Sequence, residues 1–89
     1  MKIKLELFGS SRDFSKETYL EFNLTNKSSV KDLRNEIINF VNKKFQGNRD
    51  YKKMINSSAF CSEDNKIIDD KYKLTKKQKI GIIPPIGGG

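Results

Sequence analysis

Histidine and tryptophan are absent from this 89-residue chain, and cysteine occurs once, at position 61. Without histidine there is no Ser-His or Cys-His pair, the arrangement that usually activates a nucleophilic side chain, and Cys61 has no base near it in sequence. A single thiol forms no internal disulfide and lacks the partners of a zinc site. Cys61 is therefore expected in the core, no metal is expected, and a reducing compartment fits. Proline is confined to positions 84 and 85. Long apolar runs are missing as well: Met1-Lys2-Ile3-Lys4-Leu5-Glu6 alternates charged and apolar residues, unlike a signal peptide or a membrane span. The expectation is a soluble protein of the cytosol with no membrane partner.

What is present is lysine. Eighteen basic residues against eleven acidic ones give a formal charge of +7, which raises nucleic acid, a membrane surface or an acidic protein as partners. The charge is spread evenly over both halves, and only Lys71, Lys73, Lys76, Lys77 and Lys79 form a dense run. A solvated surface is its simplest meaning. The length allows one domain, residues 1–89, with one modest core and no deep enzyme pocket.

Periodicity defines the elements. Residues 2–8 place Ile3, Leu5 and Leu7 on one face of a strand and Lys2, Lys4, Glu6 and Phe8 on the other. Phe8 is out of place on that polar face. Residues 9–13 read as a turn, and residues 18–24 alternate again, with Leu20, Phe22 and Leu24 together, so the two strands form a hairpin. Ser29 followed by Asp32 resembles a capping box, and Val30, Leu33, Ile37, Phe40, Val41 and Phe45 then keep helical spacing until Gly47. Tyr51, Met54 and Ile55 predict a short helical turn. Residues 59–61 and 66–68 are short strands around a turn at 62–65, and residues 79–83 are the last strand, with Ile83 on the face opposite Ile80 and Ile82.

One helix covering one face of a mixed sheet is the α+β arrangement open to so short a chain. Pairing of the first and last strands in the sheet centre, as in ubiquitin-like β-grasp domains, would bring Phe8 and Ile83 together on the uncovered face as a docking surface.

The last strand runs into Pro84-Pro85-Ile86-Gly87-Gly88-Gly89. The prolines set φ and remove backbone donors, so the strand cannot simply continue through them. The glycines carry no side chain, and the segment's one reactive group is the α-carboxylate of Gly89. Residues 84–89 are expected to form a flexible tail, an arm that reaches about 20 Å at roughly 3.3 Å per extended residue.

This ending, from Leu74 through Lys79-Ile80-Gly81-Ile82-Ile83 to Pro84-Pro85 and the glycines, resembles the small subunit of molybdopterin synthase, a ubiquitin-like sulfur-carrier family. The opening strand and the capped helix also fit, so the likeness spans the chain, but only the end is specific. The turn that is commonly Asp-Gly-Asp in that family is Lys76-Lys77-Gln78 here, with its charge inverted.

The resemblance implies that an ATP-dependent, ubiquitin-activating-like adenylyltransferase/sulfurtransferase adenylates the Gly89 carboxylate, which becomes a thiocarboxylate. It further implies insertion of the tail (Pro84, Pro85, Ile86, Gly87 and Gly88) into the large subunit of molybdopterin synthase, in a heterotetramer. The sulfur is then used to convert a cyclic pterin precursor to molybdopterin in molybdenum cofactor biosynthesis. Phe8 and Ile83 are the expected docking residues. The catalytic side chains would belong to the large subunit, and this chain would bind no cofactor, ATP serving the activating enzyme.

Two rivals stand beside it. One is a related carrier or ubiquitin-like modifier, serving thiamine or tRNA thiolation. The other is a small nucleic-acid-binding module built on Lys71–Lys79 and Tyr72, which lacks the interleaved aromatics that single strands stack on.

Overall fold

The computed structural model describes residues 1–86; Gly87, Gly88 and Gly89 lie outside the described residues. Strand β1 (Lys2–Leu7) is followed by a 3₁₀ segment (Gly9–Phe14) and strand β2 (Tyr19–Asn23). Helices α1 (Val30–Lys44) and α2 (Arg49–Ser57) come next, then β3 (Ala59–Cys61), β4 (Ile67–Ile68) and β5 (Gln78–Ile83). The sheet order is β2-β1-β5-β3-β4. β5 runs parallel to β1 and antiparallel to β3, so the chain's last strand sits at the centre of a mixed sheet.

Alternation builds the buried face. Ile3, Leu5, Leu7, Phe60, Ile80 and Ile82 are fully buried and meet Val30, Leu33, Ile37 and Val41 of α1 in one core. Ile38 joins that core although the expected helical stripe omits it, while Phe40 and Phe45 are only partly buried. Phe40 instead makes an edge contact with Phe22, with ring centroids 6.0 Å apart, and covers the β2 side of the sheet.

Helix α1 starts where the capping box places it. Ser29 Oγ accepts from the Asp32 amide at 3.3 Å, and Asp32 Oδ2 accepts from the Ser29 amide at 2.8 Å. Two further helix-start donors are satisfied from a distance, Val30 N–H by Tyr72 O at 3.0 Å and Lys31 N–H by Asp70 O at 3.1 Å. With Leu74 fully buried and its amide bonded to Ser28 O at 2.7 Å, the lysine-rich segment is laced to the start of α1.

The expected short turn at Tyr51–Ile55 is a nine-residue helix. Asn48 caps it, its Oδ1 accepting from the Asp50 and Tyr51 amides at 2.9 and 3.1 Å. Tyr51 then stands edge-on to both Phe14 (5.3 Å) and Phe45 (4.9 Å), joining α2, the 3₁₀ segment and the end of α1.

Candidate functional site on the open sheet face and the tail root

Among the described residues, no helix covers the second face of the sheet. Register shows what it presents. Glu6 stands opposite Gly81, Ala59 opposite Ile83, and Cys61 between Gly81 and Ile67, all on the face opposite Ile80, Ile82 and Phe60. Phe8 adds its ring to this face. A Cβ built on Gly81 would lie 2.7 Å from Phe8 Cε2 and 2.8 Å from Cys61 Sγ, so the ring and the thiol both rest directly on the bare backbone of the central strand. Phe8 and Ile83, expected there from their breaks in alternation, are on this face and half-buried. Ile67, which sequence reasoning did not single out, is its most exposed large apolar side chain at 68%.

Cys61 corrects an expectation. It is not a core residue: its side chain is half-buried on the open face. The reason is the pleat of a three-residue strand, in which Phe60 takes the single inward position and its two neighbours must point outward. The large central Phe was the sequence signal for this.

The other half of the open face is charged. Lys4 stands opposite both Glu21 and Lys79, and its ammonium lies 4.3 Å from the centre of the Tyr19 ring. Lys2 pairs with Glu21 at 3.3 Å and Lys79 with Glu6 at 3.5 Å.

Pro84 is buried, with its Cδ 3.9 Å from the position a Cβ on Gly9 would take. Gly9 itself has φ +55°, in the left-handed region open to glycine, and this lets the chain turn sharply after Phe8. The first residue of the expected arm is thus packed against the folded body. Pro85 follows on the surface and lines an open groove of about 420 Å³ with Ser10, Tyr51, Met54 and Ser57. Ile86 is 98% exposed. The remaining site residues expected from sequence, Gly87, Gly88 and Gly89, lie outside the described residues.

Among the described residues, no three His, Cys, Asp or Glu side chains converge as a metal site. No described helix is long and apolar enough to cross a membrane. The central strand thus ends at Ile83 beside an uncovered apolar face, with Pro84 buried and Pro85 and Ile86 exposed.

Comparison with solved structures gives this architecture its class. SAMP1 from Haloferax volcanii superposes over the whole of both chains with a TM-score of 0.71 at 10% identity. A Pyrococcus furiosus protein described as molybdopterin converting factor, subunit 1, superposes over 96% of this chain and 98% of its own at TM-score 0.69 and 17% identity. A ubiquitin from Caldiarchaeum subterraneum does so over 100% and 98% at TM-score 0.61 and 17% identity. The chain has the ubiquitin-like β-grasp fold. No protein-family model matches the sequence, and neither does any curated relative.

Proposed function

We propose that the chain is a ubiquitin-like sulfur carrier that acts as the small subunit of molybdopterin synthase. The observation that carries this reading is the continuity of β5 with residues 84–86: the central strand ends at Ile83, Pro84 is buried, and Pro85 and Ile86 are exposed immediately before the glycines in sequence. The Pyrococcus furiosus neighbour, similar over nearly the full length of both chains, adds support.

The chemistry belongs to Gly89. A carboxylate is a poor electrophile, so its oxygen first attacks the α-phosphorus of ATP on an activating enzyme and displaces pyrophosphate. A sulfide-level sulfur donor then attacks the acyl carbon of the adenylate and AMP leaves, which makes a thiocarboxylate. That sulfur is nucleophilic without a metal. Absence of side chains at Gly87, Gly88 and Gly89 suits a narrow channel in the large subunit, and the prolines lower the entropy lost on insertion. Phe8, Ile83 and Ile86 dock.

Intact mass of the protein from its native cell tests this. The expected species ends at Gly89 and carries one sulfur in place of one terminal oxygen. With the purified large subunit and the cyclic precursor, removal of Gly89 or addition of one residue after it abolishes sulfur transfer and leaves the fold intact. Full activity of the extended chain would sink the reading. A second reading, a protein modifier joined through Gly89 to lysines, draws on the likeness to an archaeal ubiquitin; recovery of isopeptide conjugates from cells, without a thiocarboxylate species, would favour it.

A further inference from the structure

The charged half of the open face has a shape of its own. A shallow basin of about 350 Å³ is lined by Lys2, Lys4, Lys77 and Lys79 together with Glu21 and Glu63. The carboxylates in and beside it are engaged: Glu21 holds Lys2, Glu6 holds Lys79, and Glu63 Oε1 accepts from the Lys79 amide at 2.7 Å. Among the described residues, Lys4 and Lys77 take part in no ion pair within 4.0 Å. Positive charge is left over at the side of the apolar strip formed by Phe8, Cys61, Ile67 and Ile83.

The two halves cannot be covered separately. Lys79 precedes Gly81 and Ile83 on the same face of β5 at intervals of two residues, about 7 Å each. A specific protein interface buries about 800 Å² on each partner, so a surface seated on Ile83 also reaches Lys79 and its neighbour Lys4. We propose that this basin is the electrostatic half of the docking surface, and that it receives carboxylates which the large subunit presents beside an apolar ridge. The proposal rests on the sulfur-carrier reading for the identity of the partner, and it adds the sign and place of that partner's charge. A protein carboxylate suits the basin better than a nucleic-acid backbone. Glu6, Glu21 and Glu63 stand among the lysines and would repel a continuous row of phosphates, and Lys4 lies over the Tyr19 ring on which a base would stack.

The test measures association of the full chain with the purified molybdopterin synthase large subunit of the same organism, at low and at high salt. Lys77→Glu, at an exposed position, is the main variant, and Lys4→Gln/Lys77→Glu is the second. Lys52→Glu, on the exposed side of α2, changes net charge as Lys77→Glu does but lies away from the basin. At low salt both basin variants should bind about 10-fold or more weakly than Lys52→Glu, mainly through slower association, and the difference should shrink as salt rises. Equal loss in Lys77→Glu and Lys52→Glu, or salt-independent binding by the parent chain, would overturn the inference while leaving the sulfur-carrier reading in place. Complete failure of the parent chain to bind would overturn both. Salt-sensitive binding of single-stranded nucleic acid that Lys77→Glu abolishes would assign the basin to a different partner and likewise overturn it.

Discussion

The ring of Phe8 lies on Gly81, where an added Cβ would sit 2.7 Å from Phe8 Cε2. The central strand thus carries an aromatic lid that only the bare backbone of glycine admits. Gly81→Ala should cost about 1–3 kcal/mol, because the ring and Cys61 Sγ must both move to admit one methyl group. Phe8→Ala made in the same chain should recover part of that loss, and urea denaturation of the two single variants and the double would measure the coupling. Strict additivity would show that the lid is loose enough to swing away.

Ile67 and Ile83 separate docking from folding. Ile67 is 68% exposed, so Ile67→Lys should change monomer stability by no more than about 0.5 kcal/mol. Ile83→Lys, at a half-buried position, should also leave a folded monomer. If the chain docks as proposed, both should weaken its complex with the large subunit by about 10-fold, as loss of a buried apolar anchor does. Calorimetric titration and circular dichroism together decide; unfolding of Ile83→Lys would mean that its place in the sheet matters more than docking.

Arg34 ties together segments that are distant in sequence. Its Nη1 donates to Ile55 O at 2.7 Å, Ser58 O at 2.9 Å and Asn56 O at 3.2 Å. Its Nη2 meets Asp70 Oδ1 at 2.7 Å, and its Cζ lies 4.8 Å from the Phe60 ring centroid. Arg34→Ala should cost about 2–3 kcal/mol through the carbonyls left without a donor. Arg34→Lys should restore only a fraction, since one ammonium cannot reproduce the planar fork. Amide exchange should locate the loss at the end of α2.

Asp32 sets an acid limit on α1. Hydrogen bonds from the Ser29 amide and hydroxyl hold its carboxyl below the ordinary 3.8, with Lys73 and Lys31 adding to the effect. A carboxyl whose folded pKa is depressed stabilises the fold above its unfolded pKa, and that contribution is lost as pH falls through the folded value. The melting temperature of the parent chain should therefore drop below about pH 4 more steeply than that of Asp32→Asn, with the two curves running parallel at neutral pH. Parallel curves throughout would mean that the box does not depend on charge.

Much of the fold is written locally. Alternation in residues 2–8 marks β1 because a strand can bury only every second side chain, and Ser29 with Asp32 marks the start of α1 because the cap is made by neighbours. The Pro-Pro-Ile-Gly-Gly-Gly ending is likewise a property of the chain itself. Tertiary structure decided the rest through contacts between residues far apart in sequence. Phe60 took the one inward place in β3 and turned Cys61 out onto the open face. Gly81 became the seat for Phe8 because β1 and β5 pair in parallel, and Pro84 is buried where the turn at Gly9 lies beside it. The same pairing gathers Lys4, Lys79 and Lys77 around one basin. Local pattern states which side chains leave the core, whereas strand order and register alone state which of them become neighbours.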